Sequence, residues 1–337
     1  MTQPEHERRL QLFGSEVRLL IGPPATAGAR SAPVAALELE GFLREAHRRL
    51  TRFDDSSDLS RLNADRSWSC HVSPLLALAI DAGIWAAQET GGLVDPTLTT
   101  EIERAGYARS RTGVPGAPLV VALRTAPARR PAAPRADAAW KQVEVDVENR
   151  VVHRPPGTRL DTGGTGKGLV ADLGAGRLAG HATFVIDAGG DLRIGGTEPV
   201  ERPVEIDHPF APEPAHSFRM AAGAVATSGI ASRIWRTPAG FAHHLLDPST
   251  GEPAWTGVVQ ATALADTALA AEALAKAALL SGPERGAALL APRGGVLVLD
   301  DGEVIRCGPL RRPPAREPVP PPVRARRSPR VPAGSPR

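Results

Sequence analysis

The chain has 337 residues, 42% of them hydrophobic and 4% aromatic, with a formal charge of +3. This length exceeds one average domain and supplies enough apolar side chains for a sizeable core, which excludes a disordered or fibrous chain and points to one large or two intimate globular domains. The charge is unevenly placed: residues 308–337 hold eight Arg and one Glu, a local +7, so the remainder is near −4 and a nucleic-acid surface on the folded part is not expected.

Cys70 and Cys307 are too few for a disulfide framework, and neither sits in a zinc-ligand pair, which suits a reduced, cytoplasmic setting. The opening stretch MTQPEHERRLQLFG has no apolar run of signal-peptide length, and no segment approaches the roughly 18 apolar residues of a spanning helix, so membrane insertion is not expected.

Val34 to Phe53 places Leu39, Phe42, Leu43, Ala46 and Leu50 at helical spacing and predicts an amphipathic helix. A second helix is predicted over Pro74 to Thr90, with Pro74 in its first turn and Gly91-Gly92 ending it. Residues 111–137, rich in Pro, Ala, Arg and Gly, read as an insertion or mobile loop within a domain spanning 1–307, with one strand at Leu119 to Leu123. Val143 to Val152 alternates as a half-buried strand does. Gly168 to Leu178 reads as a helix, and Phe184–Ile186 with Leu192–Ile194 as a β pair turning at Ala188-Gly189-Gly190. Ser217 to Val225, Ser232 to Arg236 and Phe241 to Leu246 read as extended, Asp266 to Leu280 as a helix closed by Gly282-Pro283, and Val296 to Ile305 as a hairpin. Without regular alternation of helix and strand, the order indicates an α+β architecture. From 308 onward Pro and Arg recur without an apolar face, predicting a disordered tail.

The run LDTGGTGKGLVAD (160–172) has closely spaced glycines and one of the chain's three lysines at the opening of a predicted helix, an arrangement that lets backbone N–H groups approach a phosphate. Neither the Walker A nor the Rossmann glycine spacing fits it, and a plain tight turn explains it equally well. HHLLDPSTG (243–251) puts a histidine, a carboxylate and two hydroxyls near a turn. Adjacent strand residues point to opposite faces, so His243 and His244 cannot serve one site together and one of them is structural.

In order and approximate spacing, these segments resemble the ApbE family, the FAD:protein FMN transferases, over about residues 50–300. The resemblance is carried by RFDDSSDLSRLN (52–63), GGLVDPTL (91–98), LDTGGTGKG (160–168), AVATSG (224–229) and HHLLDPSTG (243–251). The family's early M-G-T stretch stands here as Phe13-Gly14-Ser15. The resemblance implies a T-fold-like α+β protein, with mixed or antiparallel sheets and packed helices. It would bind FAD and, with Mg2+, move FMN to a Thr or Ser hydroxyl of an acceptor protein, releasing AMP.

By the same resemblance Lys167 faces the pyrophosphate, Asp161 orders the loop, and His244 takes the proton of the attacking hydroxyl with Asp247 alongside. Asn63, Asp95, Thr227, Ser228 and Gly229 fall around the flavin nucleotide. A flavin-binding protein without transfer activity, and a pyrophosphatase giving FMN and AMP, are the competing readings.

The family's metal site uses a backbone carbonyl, here that of Gly164, with an Asp and a Thr four residues apart on the C-terminal helix. Counting back from Gly282 places Glu272 and Lys276 at those two positions. An ammonium roughly 4 Å from a divalent ion costs about 8 kcal/mol at an effective dielectric of about 20. Lys276 and a metal therefore do not readily share one pocket: either the Lys276 ammonium, held by Glu272, replaces the metal near the pyrophosphate, or the metal sits elsewhere with Glu272 alone, while the plain reading of the pair is an i,i+4 contact on an exposed helix.

Overall fold

The computed structural model describes residues 5–310 and Val323–Ala325. Most of the tail expected to be disordered lies outside the described residues.

The frame is an eight-stranded antiparallel sheet whose strands follow one another in chain order: His6–Leu12, Ser15–Ile21, Phe184–Ala188, Asp191–Gly195, Gly223–Gly229, Val258–Ala265, Gly295–Leu299 and Val304–Cys307. Side chains alternate across it with period two. Leu19 and Ile186 enter the core beneath helix Ala32–Leu50, whereas Leu20 and Val185 enter a second core shared with Val225 and Leu297. Burial of both faces explains why Phe184–Ala188 is buried at every position instead of every other one.

Helices Gly166–Arg177 and Ala268–Leu280 lie together on this sheet, the first over the strands at 184–195 and the second over those at 223–229 and 258–265. Smaller sheets form around it. Ser69–His71, Val151–His153 and Glu144–Asp146 make one, and Arg202–Ile206 with His216–Met220 and Val323–Ala325 another. The architecture is α+β.

Several elements differ from the sequence expectation, each for a local reason. Leu119–Arg124 is a helix and not a strand: Pro118 stands at its N-cap, and Leu119 and Ala122 are buried while Val120 and Val121 face outward, so helical spacing overrides the β preference of valine. The segment around it, expected to be an insertion or mobile loop, docks through main-chain bonds: Ala117 N–H to Ile234 C=O (2.9 Å), Arg130 N–H to Trp255 C=O (3.0 Å) and Ala132 N–H to Leu280 C=O (2.8 Å).

Ser217–Val225 divides between two sheets where Gly223, at φ +117°, turns the chain. Gly282-Pro283 ends one helix and opens another, Gly282–Leu290, because proline suits a first turn. The N-terminal hairpin, absent from the sequence reading, turns on Phe13 and Gly14, both at positive φ as a two-residue hairpin demands.

Candidate functional site

A cleft of about 1570 Å3 opens at the boundary of the two cores, with Asp95, Asp161, Gly164, Lys167, His244 and Lys276 among its lining residues. The glycine-rich run forms one wall. Asp161 Oδ1 accepts the N–H of Gly163 (2.7 Å), and the Thr162 carbonyl accepts those of Thr165 (3.2 Å) and Gly166 (2.7 Å). The run thus spends much of its backbone on its own turn, and positive charge at the wall comes mainly from side chains and the start of helix 166–177.

Lys167 leaves the first turn of that helix and donates to Asp191, a buried carboxylate on the strand Asp191–Gly195. Asp191 and Glu272 together hold the Lys167 ammonium above the ordinary lysine range against the cost of its burial. Behind this pair Asp187 accepts the N–H of Gly190 at 2.9 Å, and burial pushes its carboxyl up to about 7.

Gly168 is required where it stands. A Cβ there would lie 2.6 Å from the carbonyl oxygen of Ala268 and 2.7 Å from Cα of Leu269, so only glycine lets the two helices meet. Asp172, one turn on, accepts the N–H groups of Ala268 (2.8 Å) and Leu269 (2.9 Å), closing the start of helix 268–280.

The two histidines separate, although not by strand alternation: His243 ends the strand Gly240–His243, and His244 stands in the bend that follows it. His243 is fully buried edge-on against Trp255 (centroids 4.8 Å apart), its Nδ1 accepts the Leu245 N–H, and burial brings it down to about 3. His244 lines the cleft. Asp247, expected beside it, is committed elsewhere: Oδ1 accepts the Ser249 N–H (3.0 Å), the Ser249 hydroxyl (2.7 Å) and the Ala133 N–H (3.1 Å), and Oδ2 lies 3.4 Å from Arg130. This aspartate builds a turn and pins the 126–133 segment.

The remaining predicted residues divide. Asp95 faces the cleft; its Oδ1 holds the Thr97 N–H (2.8 Å) and hydroxyl (2.6 Å), its Oδ2 is buried without a hydrogen-bond partner among the described residues, and burial raises its carboxyl. Asn63 does not line the cleft. It clamps Leu160 by donating to the carbonyl and accepting from the N–H, both at 2.8 Å, and so sets the entry to the glycine-rich run. Thr227, Ser228 and Gly229 lie in the central strand paired to Thr262, Ala261 and Gln260, with Thr227 Oγ1 2.9 Å from Thr262 Oγ1, away from the cleft lining.

Arginines complete the wall and are the residues that sequence reasoning passes over. Arg52, 4% exposed, places its Nε 3.0 Å from Asp161, donates to the Tyr107 carbonyl at 2.6 Å and lies over the Phe53 and Tyr107 rings. Arg111 stacks on Trp235, and Arg233 lines the same cleft. Their contacts come from segments far apart in the chain, which local spacing does not reveal.

A divalent cation bound through Gly164, residue 272 and residue 276 does not fit these side chains. Lys276 donates to Glu272 Oε1 at 2.9 Å, and Glu272 Oε2 accepts the Gly168 N–H at 2.9 Å, so both carboxylate oxygens already serve N–H donors and residue 276 brings a positive charge where a ligand oxygen is needed. Among the described residues no group of three or more His, Cys, Asp or Glu is placed to hold a metal.

The comparisons with known proteins agree with one another. The FAD:protein FMN transferase of Treponema pallidum (strain Nichols) is 28% identical over 307 residues, covering 87% of this chain and 83% of that protein. The FAD:protein FMN transferase of Vibrio cholerae is 24% identical over 271 residues, 78% of each chain. The crystal structure of the ApbE protein of Thermotoga maritima shares the fold with a TM-score of 0.73 at 23% identity, covering 90% of this chain and 97% of that one. The ApbE family pattern itself matches residues 13–299. A match over most of the chain, joined to the same fold, shows that this protein belongs to the ApbE family.

Proposed function

We propose that the chain is an FAD:protein FMN transferase that moves the FMN half of FAD onto a Thr or Ser hydroxyl of an acceptor protein. The observation that carries this reading is one cleft, large enough for a dinucleotide, where Lys167 at the start of helix 166–177 and His244 line a common space. The hydroxyl oxygen attacks the FMN-side phosphorus and forms a new P–O bond; the bond to the bridging oxygen breaks, and that oxygen leaves with the electron pair on AMP. The hydroxyl proton passes to His244, whose neighbour His243 is held neutral in the core and takes no part.

Catalysis of this kind is mostly positioning and charge neutralisation, which Lys167 and the cleft arginines supply. Asp161 contributes by fixing the loop and anchoring Arg52. Among the described residues no helix is long and apolar enough to cross a membrane. We place the protein in the cytoplasm, a reading supported by Cys70 and Cys307 as free buried thiols.

The test is incubation of the protein with FAD and candidate acceptor proteins, following AMP release and flavin fluorescence of the acceptor in a denaturing gel. Labelled acceptor together with AMP is the expected result. AMP and free FMN without labelled acceptor would favour the pyrophosphatase reading, and FAD binding without AMP a non-catalytic flavin protein.

A further inference from the structure

We infer that the Lys276 ammonium, fixed by Glu272, stands in place of a divalent cation beside the FAD pyrophosphate, so that this protein binds and cleaves FAD without a metal ion. The inference rests on the reading of the cleft as an FAD site.

Lys276 lies on helix 268–280 and lines the cleft with 13% of its side chain exposed, while Glu272, one turn earlier, is 1% exposed. This is not a solvated i,i+4 pair, because the second carboxylate oxygen of Glu272 accepts the Gly168 N–H inside the glycine-rich run. The carboxylate therefore ties the lysine to the wall where Lys167 also emerges. Burial pushes the Glu272 carboxyl up, against the pull of Lys276 and Lys167.

The result is a matched construction. Two ammonium groups from two helices reach one cleft, Lys167 backed by buried Asp191 and Lys276 backed by buried Glu272. Each Lys offers three donors and spends one on its carboxylate. A diphosphate placed between them meets two fixed positive charges, the same electrostatic service that a divalent cation gives, supplied without an ion to capture. The protein has three lysines in all, and two of them are here.

The test uses the full-length protein freed of metal with EDTA. FAD affinity is measured by quenching of flavin fluorescence, and AMP release in parallel, first with EDTA and then with excess Mg2+. The expected affinities agree within about twofold, since no binding energy comes from the ion. Lys276→Thr is expected to bind FAD about 10- to 100-fold more weakly with EDTA and to recover part of that loss with Mg2+. Because Lys276→Thr leaves Glu272 unpaired, the double variant Glu272→Gln/Lys276→Met, which keeps an acceptor for Gly168, is measured beside it and is expected to lose affinity to a similar degree. Wild-type binding or AMP release that needs Mg2+, or a folded Lys276 variant that binds FAD as tightly as its parent in EDTA, overturns the inference while leaving an FAD site in place. Failure of the wild type to bind FAD under either condition overturns the FAD reading itself, and this inference with it.

Discussion

His244 and Asp247 are three residues apart, yet their surroundings give them different work. His244 lines the cleft, so His244→Ala should lower kcat about 10²- to 10⁴-fold while FAD affinity changes little. Asp247 Oδ1 holds two donors of a turn, both from Ser249, and the Ala133 N–H of a distant segment, and an asparagine oxygen can hold the same three. Asp247→Asn should therefore keep kcat within about tenfold, and a drop as large as that of His244→Ala would place the Asp247 charge in the chemistry after all. Asp187 carries the pH dependence that is simplest to isolate. Its carboxyl titrates near 7 when folded against an ordinary 3.8, so between those values the unfolded chain gives up a proton that the folded protein retains. Its contribution to stability is greatest below about pH 4, declines as the pH rises and levels off above about 7. Asp187→Asn removes that decline. Thermal unfolding should show the variant gaining on its parent between about pH 5 and pH 8, by up to about 3 kcal/mol, and a gap that is constant with pH would refute the assignment.

Helices 166–177 and 268–280 meet through a missing side chain and a cap. Gly168→Ala would press a methyl group onto the main chain of Ala268 and Leu269, which cannot yield without moving the helix. A cost of about 1–3 kcal/mol is expected in urea denaturation, with weaker FAD binding because Lys167 is the adjacent residue. Asp172→Ala removes the acceptor for two N–H groups and should cost about 1–2 kcal/mol, with a smaller effect on FAD. Equal effects of the two variants on FAD affinity would show that the helix contact at Gly168 does not position Lys167. Elements of this kind were partly legible in the sequence. Helix 32–50 announces itself through Leu39, Leu43, Ala46 and Leu50, and Gly166–Arg177 through the glycine run before it, because both follow from spacing within a single segment. The hairpin at Phe13-Gly14 and the helix at Leu119 were not, since a positive φ at phenylalanine and two outward valines are set by tertiary contacts. At the site, Lys167 and His244 stand in short motifs that resemble those of a family. Arg52, Arg111 and Arg233 acquire their place only when the chain closes the cleft, and Asn63 and Asp247 keep their motif positions while their side chains hold backbone.

The cleft lies where two hydrophobic cores meet, with Leu12 and Leu50 from one and Leu119, Ile234, Leu245 and Leu280 from the other along its walls. A ligand there touches both cores, so binding should stabilise the molecule as a unit and not one half of it. FAD at about 100 times its Kd adds about 2.7 kcal/mol, which for a chain of this length raises Tm by about 4 °C in one cooperative transition. Two transitions of which FAD moves only one would mean that the cores unfold separately and that the cleft belongs to one of them. Charge sharpens the expectation. The wall includes Arg48, Arg52, Arg111, Lys167, Arg233 and Lys276 against Asp54, Asp95, Asp161 and Asp207, a positive excess on a body that is negative overall. Lys167, Lys276, Arg52 and Arg48 are paired with Asp191, Glu272, Asp161 and Glu45, so the field reaching into solvent comes mostly from Arg111 and Arg233. Screening shortens from about 10 Å at 0.1 M salt to about 3 Å at 1 M and should weaken the arginine contribution while sparing the close contacts of the buried lysines. The Tm increase produced by FAD should therefore shrink with added salt and then level off above zero. A shift that disappears altogether would indicate a surface ion pair with the diphosphate in place of a seated one, and a shift indifferent to salt would remove the arginines from recognition.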